Sequence, residues 1–134
     1  MSPAKLMPAV DTQLAHVWMV RAFLKHSDEA AEDEELAGVH RELYDFMLAL
    51  GGPLKEGNAD EYLKLARKKI GKLKRAAELF ERIQLEVSQH TNFFMAVASL
   101  KAAVGEVGRL LAQTEAGEGG RSEGVTEGQS DGAR

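Results

Sequence analysis

The chain contains no cysteine, which excludes disulfide bonds and thiolate ligands for metal ions. It has only three prolines in 134 residues, and 6 % of its residues are aromatic. Glycine is also sparse before residue 114, where the helix-favouring residues Ala, Leu, Glu, Lys and Arg dominate. The length suits one domain. The sequence therefore predicts an all-α fold that needs no disulfide or metal to hold it together.

Long apolar runs are missing as well. No stretch approaches the roughly 18 apolar residues that a membrane-spanning helix needs. In the first twenty residues, polar or helix-breaking residues such as Pro8, Asp11 and His16 interrupt any apolar core of a targeting segment. The sequence predicts a cytoplasmic protein without membrane partners.

A large excess of charge of one sign is absent from the body of the chain. The net charge is −4, and residues 114–134 hold five acids and two arginines, which leaves the rest near −1. This balance disfavours a generally basic nucleic-acid binder. The same segment, rich in Gly and Glu, cannot bury enough apolar surface to fold. We expect a helical domain over residues 1–113 and a disordered tail over residues 114–134.

Proline and glycine mark the predicted helix ends. Pro3 and Pro8 predict a non-helical start, with Asp11 capping the first helix. Residues Gly51, Gly52 and Pro53 predict the end of a helix and a chain reversal. Asn58 and Glu61 stand at capping-box spacing for the next helix. The reversal should place residues 36–50 antiparallel to residues 62–76.

Residues 11–50 allow two interpretations. The apolar phase changes near Ser27, which predicts helices over 11–26 and 28–50, and a single kinked helix is the alternative. Further on, two apolar seams of three-four spacing predict two more helices. A turn near Ser88 separates them, with Thr91 or Asn92 as the cap. The pattern predicts an up-down bundle of three to four helices.

The first helix is apolar on almost every side, so it is buried either inside its own bundle or against another subunit. Beside its widest apolar face, Leu14 and Trp18 project next to Arg21 and Lys25. A small-residue strip on the last helix would let another helix approach closely. The predicted interaction residues are Leu14, Trp18, Arg21, Lys25, Ala98, Ala102 and Gly105.

Histidines offer a second hypothesis. His16, His40 and His90 lie on or beside apolar seams, and inward-facing histidines bind metals in some helical bundles. However, none of the three has a glutamate three residues before it, as di-iron sites require. Single histidines within the packing are the alternative. No cofactor is predicted.

A basic face on the third predicted helix offers a third hypothesis. It comprises Lys64, Arg67, Lys68, Lys72 and Arg75. This face could follow phosphates, although no aromatic residues alternate with the cations to stack on bases. Acids at Glu34, Glu35, Glu42 and Asp45 on the preceding helix could instead pair with it.

The sequence contains no recognisable catalytic arrangement. The serines lack the flanking glycines of a nucleophile elbow, and the glycine-rich tail follows no strand, as a phosphate-binding loop would. We therefore expect a non-enzymatic interaction or scaffold protein that forms homo-oligomers or binds a helical partner. A metal- or ligand-binding bundle is the first alternative, and weak nucleic-acid binding through the basic face is the second.

Overall fold

The computed structural model describes the backbone of residues 1–118 and the side chains of residues 1–113. This part of the chain is helical and contains no strand, so the predicted all-α class is confirmed. Its five helices are α1 (Pro3–Lys25), α2 (Asp28–Glu32), α3 (Glu34–Glu56), α4 (Ala59–Val87) and α5 (Thr91–Glu118). The remainder of the predicted tail, residues 119–134, lies outside the described residues.

The four long helices form an up-down bundle. Helix α1 packs against α3 and α5, and α4 packs against the same two helices from the other side. Contacts of Arg67 with Leu111 and of Glu81 with Lys101 show that α4 and α5 run antiparallel. Helix α2 is a single short turn that links α1 to α3. The predicted pairing of residues 36–50 with residues 62–76 is confirmed by the antiparallel packing of α3 on α4.

The predicted non-helical start was wrong, because α1 begins at Pro3. Proline in the first turn loses no hydrogen bond, since that N–H has no partner within a helix. Pro8 has no N–H, so the helix loses the bond that would end on the carbonyl of Ala4. Leu6 and Val10 are completely buried. Their burial outweighs the cost of Pro8, so Asp11 lies inside the helix and caps nothing.

The predicted reversal at Gly51, Gly52 and Pro53 was also wrong. Helix α3 continues through these residues, and the reversal comes at Gly57, whose φ of 69° is left-handed. The N–H of Asn58 donates to the carbonyl of Pro53 at 2.9 Å, which satisfies an end carbonyl of the helix. Glycine weakens a helix without forbidding it, whereas only glycine adopts the Gly57 conformation at little cost.

Side-chain caps divide the chain after α1. Ser27 Oγ accepts from the N–H of Ala30 at 3.1 Å, and Asp33 Oδ1 accepts from the N–H of Leu36 at 2.9 Å. The first predicted helix thus ends where expected, but the second separates into α2 and α3. The alternative of one kinked helix was wrong, because each cap starts a new helix.

The later caps are partly as predicted. Asn58 Oδ1 accepts from the N–H of Glu61 at 3.1 Å, which confirms Asn58 as the cap of α4. The turn after Ser88 is present, yet Thr91 is the first residue of α5 rather than its cap, and Asn92 is not the cap either. The ring nitrogen Nδ1 of His90 accepts from the N–H of Asn92 at 3.0 Å. His90 therefore takes the capping role.

One apolar core runs between the four long helices. At one end of the bundle, the ring of Phe93 on α5 meets Phe23 of α1 at 4.9 Å and Phe80 of α4 at 6.5 Å, both edge to face. Further along α1, the buried hydroxyl of Tyr62 donates to Asp11 Oδ1 at 3.1 Å. Within the described residues, no helix is both long and apolar enough to cross a membrane.

Candidate interaction site

Helix α1 presents less surface than predicted. Leu14 is only 1 % exposed and belongs to the core, which corrects its assignment as an interaction residue. Arg21, 7 % exposed, is also largely enclosed. Trp18 is 42 % exposed, and Lys25 lies on the surface. Packing against α3, α4 and α5 places most of the apolar surface of α1 inside its own bundle.

The small-residue strip of α5 lies on the surface. Ala98, Ala102 and Gly105 are all exposed, and a Cβ added at Gly105 would meet no atom within 4 Å. Met95, one turn before Ala98, is 63 % exposed. We refer to Met95, Ala98, Ala102 and Gly105 as the α5 strip.

Met19 of α1 is an exposed apolar residue that the sequence analysis did not single out. It lies one helical turn before Phe23, whose contact with Phe93 brings this end of α1 beside the start of α5. Met19 and Met95 therefore lie at the same end of the bundle on adjacent helices. Helical phase could have identified Met19, because it does not fall in line with the buried residues Val17, Val20 and Leu24.

The three predicted metal-binding histidines are not brought together. His16 and His90 are exposed, and His40 lies between α1 and α3. The described part of the chain contains no group of three or more His, Asp or Glu residues placed to hold a metal ion. His16 was expected on the apolar face of the first helix, but it points to the surface, since that face is set by Leu14 and Val17.

A cationic cleft instead surrounds His40. The guanidinium of Arg21 lies over the Trp18 ring, with Cζ 3.9 Å from the ring centroid, and 5.9 Å from that of Tyr44. Burial, followed by the charges of Arg21, Lys25 and Arg41, lowers the pKa of His40 below its ordinary value. Arg21 and His40 were predicted for different roles, and Tyr44 was not predicted as a site residue.

Burial in this cleft leaves two nitrogen atoms unsatisfied. Neither Arg21 Nε nor His40 Nε2 is accessible to solvent, and neither has a hydrogen-bond partner among the described residues. Native proteins rarely leave such atoms unpaired, because an unpaired buried donor costs about 1–3 kcal/mol. A bound group that forms hydrogen bonds with these two nitrogens would therefore be stabilised in the cleft.

The predicted basic face lies on the outer side of α4. Lys64, Lys68, Lys72 and Arg75 are exposed, whereas Arg67 is half-buried and donates from Nε and Nη2 to the carbonyl of Leu111, each at 3.4 Å. Arg67 thus connects α4 to α5.

The acids of α3 were expected to pair with this basic face. Glu42 shares an open groove of about 370 Å³ with Lys72 and Arg75, between α3 and α4. Within residues 1–113, however, the ion pairs found are Lys101–Glu81 and Arg109–Glu106, and neither joins α3 to α4. The described side chains therefore show no ion pair between these acids of α3 and Lys64, Lys68, Lys72 or Arg75 of the basic face.

The arrangement offers contact surfaces and one cationic cleft. Comparison with protein-family models, with curated proteins and with solved structures found no match to this chain. Any proposal about function must therefore rest on the surface of the bundle itself.

Proposed function

We propose that this protein is a non-enzymatic helical interaction protein that self-associates, with the α5 strip of two copies packed together. The observation that supports this most is the exposure of a large side chain, Met95, in line with three small exposed residues along one helix. Exposed apolar side chains grouped on one face are typical of contact surfaces. Met19 on the adjoining helix is exposed at the same end of the bundle.

The spacing of the α5 strip is self-complementary. Its residues are separated by three, four and three positions, which is symmetric about residue 100. In a two-fold dimer with antiparallel α5 helices, Met95 of each copy lies opposite Gly105 of the other, and Ala98 lies opposite Ala102. The methionine fills the space over the glycine, while the alanines allow the helices to approach closely.

The charged residues beside the strip are compatible with this pairing. About the same midpoint, Lys101 lies opposite Ser99 and Glu106 lies opposite Phe94. Arg109 is already paired with Glu106 of its own helix at 2.5 Å. No like charges are brought face to face, so charge repulsion does not oppose the dimer.

Sedimentation across a concentration series tests the proposal. The wild-type chain should form a concentration-dependent dimer. Gly105→Met should place two methionines opposite each other, and overpacking of about 1–3 kcal/mol should weaken the dimer about ten- to a hundredfold. Adding Met95→Gly recreates the Met–Gly pair in reverse and should restore association.

Gly51→Met is the matched control, because Gly51 is also a helical glycine with no atom within 4 Å of an added Cβ. It should leave the dimer unchanged, and circular dichroism should show that all variants remain helical. A wild-type chain that stays monomeric, or a double variant that associates no better than Gly105→Met, would contradict the proposal.

A further inference from the structure

The cleft between α1 and α3 includes no residue of the α5 strip. Its members are Trp18, Arg21 and Lys25 on α1, with His40 and Tyr44 on α3; we call it the Arg21 cleft. Arg21 is more than nine-tenths buried, and its Nε lacks a partner.

Arg21 has no anionic partner within the described residues. Its guanidinium contacts the faces of Trp18 and Tyr44, and with residues 1–113 it forms neither an ion pair nor a hydrogen bond. A cation over an aromatic ring gains about 1–2 kcal/mol when it is partly desolvated. The buried Nε without a partner costs about 1–3 kcal/mol, and the contact with the rings offsets only part of that cost.

The cleft has further cations near it besides Arg21. Lys25 of α1 and Arg41 of α3 are close enough, with Arg21, to lower the pKa of His40, and no carboxylate contributes to that shift. Helix α2 packs on both α1 and α3, and within residues 1–113 no ion pair joins its acids to these cations. The cleft combines net positive charge with two unsatisfied buried nitrogens.

We propose that the Arg21 cleft binds an oxyanion, which accepts hydrogen bonds from Arg21 and His40 and lies against the positive charge of Lys25. Carboxylates and phosphates share this chemistry. A carboxylate is planar and a phosphate is tetrahedral, but both present anionic oxygens that match the N–H groups of a guanidinium. The site does not depend on the self-association of α5.

Entry of an oxyanion requires the ring of Trp18 to move. Arg21 Nε and His40 Nε2 are shielded from solvent, whereas Trp18, whose ring lies against the guanidinium, is itself 42 % exposed. Trp18 is the only tryptophan of the chain. Its fluorescence therefore reports directly on the cleft.

The test is a titration of the full chain with sodium phosphate and with sodium acetate, in a buffer free of other oxyanions and against sodium chloride at equal ionic strength. Trp18 emission should change saturably with an oxyanion and not with chloride. The NMR-measured pKa of His40 should rise at saturation, because the bound charge offsets Arg21, Lys25 and Arg41. Saturation by phosphate alone would assign a phosphoryl ligand, and saturation by acetate also would include carboxylates; both results support the site.

Arg21→Met keeps the apolar stem and removes the charge-assisted hydrogen bonds, so it should weaken binding about ten- to a hundredfold. Arg82→Met, at an exposed position of α4, is the control and should bind as the wild type does. Absence of saturation by any oxyanion would mean that water alone satisfies the buried nitrogens and would overturn the proposal. An unchanged affinity in Arg21→Met would overturn it as well, and the wild-type titration decides the question even if that variant fails to fold.

Discussion

Two buried polar side chains of this bundle differ in how their hydrogen-bonding groups are satisfied. Tyr62 is completely buried, and its hydroxyl donates to Asp11. Arg21 is almost as buried, yet its Nε has no partner. A buried polar group with a hydrogen-bond partner adds to stability. A buried group without a partner lowers stability, and a ligand can supply the missing hydrogen bond. The first is therefore a structural residue, and the second supports our proposal of an oxyanion site.

Tyr62→Phe should lower the free energy of unfolding by about 1 kcal/mol at neutral pH, the usual net contribution of one hydrogen bond. Chemical denaturation measures this change. Asp11 remains partly exposed, so water can hydrate its carboxylate in the variant. A loss of 3 kcal/mol or more, by rough comparison with core truncations, would mean that the ring itself repacks.

The same pair predicts a pH dependence. Burial, followed by the charge of Asp11, raises the pKa of Tyr62 above its ordinary value of 10.0. The folded state thus holds this proton more tightly than the unfolded state does. The contribution is complete below pH 10 and is lost as the pH rises above it. Unfolding measured from neutral pH to above pH 10 should show a smaller alkaline loss in Tyr62→Phe than in the wild type, whose lysines titrate in the same range.

At the scale of elements, two glycines near the reversal between α3 and α4 differ in backbone conformation. Gly57 has a left-handed φ and ends α3, whereas Gly51 is helical and exposed. An added Cβ meets no atom within 4 Å at either position. Backbone conformation alone therefore decides the effect of alanine at each site.

Gly57→Ala should destabilise the protein by about 1 kcal/mol, because the left-handed region is costly for alanine. Gly51→Ala should stabilise it by about 0.5–1 kcal/mol, through a better helix propensity and a less flexible unfolded chain. Thermal and denaturant unfolding of the two variants measure the difference. Opposite signs would place the reversal at Gly51 to Pro53 after all.

At the scale of the whole molecule, three helices depend on one aromatic cluster. Phe93 contacts Phe23 and Phe80 and so joins α5 to α1 and α4. Its neighbour Phe94 is 46 % exposed and faces outward. The two residues are identical in chemistry and adjacent in the chain. A difference in stability between variants that remove each ring therefore reports on tertiary packing.

Phe93→Ala should lower the free energy of unfolding by about 3–5 kcal/mol, through lost burial and the cavity that remains. Phe94→Ala should cost less than about 1 kcal/mol, because that ring keeps much of its contact with water. Denaturant midpoints of the two variants give the comparison. Equal losses would show that the end of the bundle is not packed around Phe93.

Much of the fold was predictable from local patterns. The apolar seam of α5 is buried throughout, and the cap at Asn58 forms as its spacing predicts. Both depend on contacts within a few residues or on helical periodicity alone. The glycine pair at 51 and 52 does not end α3, because Leu50 just before it is buried and the helix continues beyond it.

The candidate sites were less predictable. The sequence placed Leu14 and Trp18 together, one turn apart on one side of α1, but a neighbouring helix covers the first and leaves the second exposed. Periodicity gives the relative directions of side chains, and it does not say which direction meets another helix. For the same reason, the three histidines could not be placed relative to one another before the helices were assembled.

The sequence by itself determined that this protein is an all-α bundle without disulfides, with most of its helices and the cap at Asn58, because composition and short-range spacing control those features. Only the tertiary structure decided where α1 begins, where α3 ends, and which residues of α1 remain exposed. It also brought Arg21 and His40 together between two helices. These outcomes depend on burial against distant parts of the chain, which outweighs local preferences of about 1 kcal/mol at a glycine and about 3 kcal/mol at a proline.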